Sequence, residues 1–122
     1  MEIPFNIKIQ KAIITVTPHE LGATKAFAEV CFVDERAQTV MKVRGITIKQ
    51  KKFSERIVLG VDFPAFRSST SKGGFATSFI LEEKPLWRYL IDSILEEYRH
   101  LTGDDTSSMY LNETVNPNEI PI

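Results

Sequence analysis

The apolar spacing of this chain changes period once. From Phe5 to Leu81 apolar residues largely recur at every second position, and from Leu86 to Leu101 they recur at every third and fourth. Period two sends successive side chains to opposite faces of a strand, whereas a period of about 3.6 gathers them along one stripe of a helix. Strands first and a single helix last leave few ways to bury both apolar surfaces. The helix stripe must lie on one face of an antiparallel sheet. The expected fold is therefore α+β, with an antiparallel sheet of about five strands, one C-terminal helix packed against it, and a polar tail. With 122 residues, of which 43% are hydrophobic, the chain has enough apolar matter for one core and no more. Residues 1–102 are expected to form that domain and 103–122 the tail.

Along the chain, Phe5, Ile7 and Ile9 alternate with Asn6, Lys8 and Gln10, which predicts a half-buried strand. Ala12, Ile14 and Val16 carry the apolar phase on the other parity, so a bulge or bend is expected near Lys11. Thr17 to Gly22 contains Pro18 and Gly22 and is expected to turn. Thr24 to Val33 is a second strand, apolar on both parities and hence expected at the centre of the sheet. Val40 to Gln50 is a third, whose apolar phase flips at Gly45, as a bulge requires. Ile57 to Phe63 is a fourth, ended by Pro64, and Phe75 to Leu81 a fifth.

The helix carries Leu86, Leu90, Ile94, Tyr98 and Leu101 on one stripe, widened by Trp87, Ile91 and Leu95. Pro85 suits its first turn, with Glu82 and Glu83 just before it. Arg99 and His100 suit the negative C-terminal end of the dipole, and Gly103 is a natural stop.

The formal net charge is -1, which read whole argues against a basic nucleic-acid binder. Its distribution says otherwise. Residues 1–101 hold 15 Lys and Arg against 12 Asp and Glu, a balance of +3, and residues 102–122 hold four acidic residues and no basic one. Lys42, Arg44, Lys49, Lys51 and Lys52 cluster on the third strand and the turn expected after it. Lys42 and Arg44 share a parity and hence a face, and Arg67 and Lys72 lie on the loop after Pro64. Such a stripe and loop can track a phosphate backbone. Lysines on strands also protect sheet edges and keep a protein soluble, and that alternative stands beside the first.

Chemistry finds little foothold. One cysteine, Cys31, excludes an internal disulfide, and on a central strand it is expected to be an inert core thiol. His19 and His100 stand far apart in sequence, with no ligand spacing around them, so neither a metal site nor a cofactor is expected. Ser68 to Ser71 is rich in hydroxyls without a local His-acid pattern, and Lys72-Gly73-Gly74 lacks the order of a phosphate-binding loop. Glu96-Glu97 and Glu82-Glu83 are adjacent pairs whose side chains diverge on a helix, so they form no acid/base dyad. Trp87, Phe27, Phe53 and Phe75 are expected in the core or an interface. No run approaches the length of a membrane span, and Met1 to Lys11 lacks a signal-like apolar stretch. A reducing cytoplasm is the expected setting.

The order of these features resembles the stage V sporulation protein G (SpoVG) family of small bacterial regulators. Phe5 to Lys11 looks like the family's opening strand and Lys25 to Val30 like its second. Val43-Arg44-Gly45-Ile46-Thr47-Ile48 is similar to the third. Val61 to Arg67 resembles the strand that ends in a Met-Pro-Ser-Lys-Arg type motif, and Gly74-Phe75 the following Gly-x-Phe. The helix ending Ile94-Leu95-Glu96-Glu97-Tyr98-Arg99-His100-Leu101 is close to the family's Leu-x-Glu-Tyr ending. Phe66 stands where the family has the first of two adjacent cations, and the acidic tail is additional. The resemblance implies an antiparallel sheet with a C-terminal helix and a homodimer. It also implies binding of DNA or RNA to modulate gene expression without catalysis. Carried over by position, it puts Arg67 and then Lys72 on nucleic acid. Lys42, Arg44, Lys49, Lys51 and Lys52 would add backbone contacts, and the tail would compete for them. The alternative is a protein–protein interaction module that docks its partner through the helix face or the tail, with the basic residues only solubilising.

Overall fold

The structure is a computed structural model and describes residues 1–67 and 75–108. Four strands, β1 (Lys11–Leu21), β2 (Thr24–Val33), β3 (Thr39–Phe53) and β4 (Arg56–Asp62), form one antiparallel sheet in sequence order. A short pair, β5 (Ala65–Arg67) and β6 (Phe75–Thr77), forms a separate two-stranded sheet, and α1 (Lys84–Thr102) lies across one face of the larger one. The α+β class is as the change of period requires, with four strands in the main sheet.

Each connection follows from its turn chemistry. Gly22, at a φ of 62°, helps to close the tight turn between β1 and β2. Between β2 and β3 the Asp34 carboxylate accepts hydrogen bonds from the backbone N–H groups of Arg36 and Gln38, at 2.9 and 3.0 Å. Ser54, at a φ of 57°, turns β3 into β4.

Three sequence expectations are corrected. Residues 1–10 form no strand, and pairing begins at Lys11, opposite Val33. Ile9 lines the same depression as Ala12 and Ile14, and β1 carries no bulge at Lys11, since its pairing runs from Lys11 to Pro18 without a register shift. The turn expected at Thr17 to Gly22 is instead strand as far as Leu21. Pro18 is tolerated because β1 is an edge strand and needs no second hydrogen-bonded neighbour. The fifth strand stops at Thr77 and leaves the main sheet. Ser78 donates its N–H and hydroxyl to the Pro64 carbonyl, at 2.7 and 2.9 Å, and Phe79 turns in toward the core.

The core lies between the sheet and α1. Val16, Ala26, Ala28, Val30, Ile46 and Ile48 meet Trp87, Leu90, Ile91, Ile94, Leu95 and Tyr98 there. Phe79 adds an aromatic cluster, its ring 5.8 Å from Phe63 and 6.2 Å from Trp87, with Phe63 and Trp87 at 4.5 Å. The buried stripe is centred on Ile91, Ile94 and Leu95, while Leu86 and Leu101, at its ends, are exposed. Gly103 stops the helix in the left-handed region, donating its N–H to the Arg99 carbonyl at 2.7 Å.

Past Gly103 the chain bends back as a strap. The Leu59 N–H donates to the Ser107 carbonyl at 2.8 Å, and Ser108 bridges Leu59 in parallel, which covers the free edge of β4. Asp104 organises this strap. It accepts hydrogen bonds from the Tyr98 hydroxyl at 2.7 Å and from the Thr106 hydroxyl and N–H at 2.6 and 2.9 Å. Desolvation raises its pKa, but the Thr106 and Tyr98 donors and the charge of Lys25 outweigh it and hold the carboxyl below its ordinary value.

Ile94→Ala removes a side chain with no exposure and is expected to cost about 2–5 kcal/mol in urea unfolding. The strap responds to acid instead. Because the folded carboxyl of Asp104 is the stronger acid, its stabilisation is complete above the unfolded value near 3.8 and is lost as pH falls through the lowered folded value. Melting temperatures of wild type and Asp104→Asn, followed from neutral pH into acid, should therefore converge below about pH 4.

Candidate nucleic-acid interface

The face of the sheet away from α1 collects charge. Alternation in β2 places Ala26, Ala28 and Val30 inward and Phe27, Glu29 and Cys31 outward. In β3, Val43, Ile46 and Ile48 point inward, so Lys42, Thr47, Lys49 and Lys51 point outward. Inward Val43 and Ile46 are three residues apart because one extra residue is accommodated between them. Ala28 pairs with Ile46 and Val30 with Val43, leaving Arg44 and Gly45 opposite Glu29. Gly45 takes a φ of 78°, which the bulge uses to aim Arg44 outward.

Two carboxylates hold these cations. Arg44 Nε lies 2.9 Å and Lys42 Nζ 3.9 Å from Oε1 of Glu29. Lys51 Nζ lies 2.6 Å from Oδ1 of Asp62 and Lys49 Nζ 3.6 Å from Oδ2. Each carboxylate thus serves two cations, and four cations against two carboxylates leave these groups with a charge of +2. Arg44 remains the most open, its side chain 75% exposed. Ion pairs this accessible contribute at most about 1 kcal/mol each, so they orient the cations without locking them.

The basic residues singled out in the sequence separate into groups. Lys42, Arg44, Lys49 and Lys51 share the outer face. Lys51 and Lys52 lie within β3 rather than in a turn, because the strand runs on to Phe53. Lys52 pairs with Ile57, and strand parity turns it away from Lys51, so it does not join the outer stripe. Arg67 is placed by its backbone in β5, paired with Phe75, and Lys72 lies outside the described residues. The hydroxyl run Ser68 to Ser71 lies outside them too.

Sequence reasoning missed the partners on this face. Phe27, expected in the core or an interface, lies outside the core at 44% exposure, and its ring lies 5.1 Å from that of His19. A shallow depression of about 240 Å³ joins Phe27, Thr15, Thr17, Glu29 and Arg44. The signal was present: Phe27 shares its parity with Glu29, a residue that needs water. Cys31 is corrected likewise. It is half-buried on this outer face, its sulfur 4.0 Å from Oε2 of Glu29, and not a core thiol. The strand is central, but only one of its faces is covered.

Among the described residues no His, Cys, Asp and Glu side chains gather in a group that could hold a metal ion. Among them, too, no helix is long and apolar enough to cross a membrane. No protein-family model, curated protein or solved structure matches the chain.

Gly45→Ala tests the bulge. A Cβ there would meet Pro64 at an ordinary 3.6 Å, so the cost is the left-handed backbone alone, about 1–2 kcal/mol in chemical denaturation.

Proposed function

We propose that this chain is a dimeric regulator of the stage V sporulation protein G type. In this reading it acts in the cytoplasm, binds DNA or RNA along the outer face of its sheet, and modulates gene expression without chemistry. The observation that supports it is the outer face itself, where four cations outnumber two carboxylates beside an exposed aromatic ring.

The physics of that face suits a phosphate backbone. Glu29 and Asp62 orient Lys42, Arg44, Lys49 and Lys51 on the outer face before any ligand arrives, which lowers the ordering cost of binding. The pairs are weak enough for phosphate oxygens to share or replace the carboxylates. Arg44 presents a planar fork suited to phosphate. Phe27 offers a ring on which a base can stack, an interaction that tolerates any sequence. Arg67 and Lys72 would add loop contacts, and Lys52 would steer the encounter from the opposite face.

Fluorescence anisotropy with mixed DNA and RNA pools, titrated with KCl from about 50 to 200 mM, tests the reading. The logarithm of the binding constant should fall linearly with that of salt. Each phosphate that Lys49→Ala/Lys51→Ala leaves unneutralised should reduce the slope by about 0.7–0.9. Glu29→Gln/Asp62→Asn should bind more tightly, because the carboxylates compete with phosphate. Arg67→Ala/Lys72→Ala isolates the loop. Deleting residues 109–122, which keeps the strap intact, should tighten binding if Glu113 and Glu119 compete for the basic face. Absence of binding even at the lowest salt overturns the proposal.

A further inference from the structure

Residues 1–10 belong to no strand, yet they carry a strand's pattern. Ile3, Phe5, Ile7 and Ile9 alternate with Pro4, Asn6, Lys8 and Gln10, and their exposures are 66, 78, 53 and 52%. Apolar residues exposed singly are ordinary on a protein surface, but a continuous row of four marks a surface built to be covered.

The same end of the molecule carries an apolar groove of about 680 Å³, whose lining includes Ile9, Ile14, Met41, Leu86, Tyr89 and Leu90. Tyr89 is 72% and Leu86 46% exposed on the first half of α1, so the groove, too, has no cover among the described residues. Of the leading segment only Ile9 and Gln10 reach it. The Gln10 N–H, bonded to the Val33 carbonyl at 2.8 Å, fixes where that segment departs from the sheet.

One occupant covers both surfaces at once. A foreign peptide in the groove would leave the row from Ile3 to Ile9 in water. A second copy of this chain brings an identical row and an identical groove. Reciprocal exchange about a two-fold axis matches every row to a groove and closes at two copies, leaving no open end from which fibres could grow. An extended segment of five residues spans about 17 Å, enough to cross from one subunit onto another. We infer that residues 3–7 of each copy lie in the groove between β1 and the first half of α1 of the other, while Ile9 stays in the wall of its own groove. This inference deepens the dimeric part of the proposed function and rests on it.

Sedimentation velocity of the full chain over a concentration series is the test, with circular dichroism to confirm folding. Wild type should be a dimer. Phe5→Asp/Ile7→Asp on the segment and Tyr89→Asp in the groove should each weaken dimerisation by about a hundredfold or more while keeping the fold. An equimolar mixture of Ile7→Cys and Tyr89→Cys chains, both carrying Cys31→Ser, should give a disulfide-linked heterodimer on oxidation, which reports the exchange even where an Asp variant fails to fold. A wild type that stays monomeric at every concentration overturns the inference, and so does a dimer that survives the segment variant or fails to cross-link. Anisotropy on the same samples separates the two readings. A monomer that binds nucleic acid overturns the exchange and the dimeric part of the proposed function but upholds nucleic-acid binding, whereas a cross-linked dimer that binds none upholds the exchange and overturns the regulator.

Discussion

The packing of one helix on one face of one sheet governs the rest of this molecule. Trp87, Leu90, Ile91, Ile94, Leu95 and Tyr98 share one core with small and branched residues of all four strands of the main sheet, Ala26 and Ala28 among them. The interior between them is apolar, and the Trp87 indole N–H has no hydrogen-bond partner among the described residues. Leaving such a group unpaired costs about 1–3 kcal/mol, which the ring offsets through burial and its packing on Phe63. Among the described residues one helix covers one side of the sheet. The other side carries exposed and half-buried residues such as Phe27, Glu29 and Arg44.

Polar chemistry on that second side is arranged by backbone irregularity. The bulge at Arg44 and Gly45 lets Val43 and Ile46 both face the core while Arg44 opens outward beside Glu29. Without the extra residue, one half of β3 would present its apolar row to water. The bulge therefore serves packing and charge together, and the positive φ of Gly45 is what permits both. At the far edge, the strap from Asp104 to Ser108 uses backbone hydrogen bonds to cover β4, leaving β1 as the uncovered edge among the described residues. The uncovered edge and the exposed apolar row that precedes it lie in one continuous stretch of chain.

Much of this fold is legible in the linear pattern. The limits of β2, the bulge at Gly45, the helix stop at Gly103 and the grouping of Lys42 with Arg44 follow from alternation and from glycine's conformational range. The differences between pattern and structure share a cause. Cys31 reads as interior because apolar residues on both parities look alike whether one face is covered or two. Pro18 reads as a turn because its tolerance depends on being at an edge, a property of strand order. Lys52 groups with Lys51 in sequence because the spacing suggests a turn where the strand continues, and one residue of strand reverses a side chain's direction.

The amino-acid sequence by itself determined the local periods, and through them the α+β class, the order of elements and a body more basic than its total charge suggests. Those properties rest on neighbours a few positions apart, whose spacing decides which side chains share a face. Only the tertiary structure decided that Glu29 and Asp62 each hold two cations, that Phe27 is exposed beside Arg44, and that Ile3 to Ile9 pair with no strand among the described residues. Each of these depends on which strand lies beside which and on the side the helix takes, and residues far apart in sequence meet only once the whole core has closed.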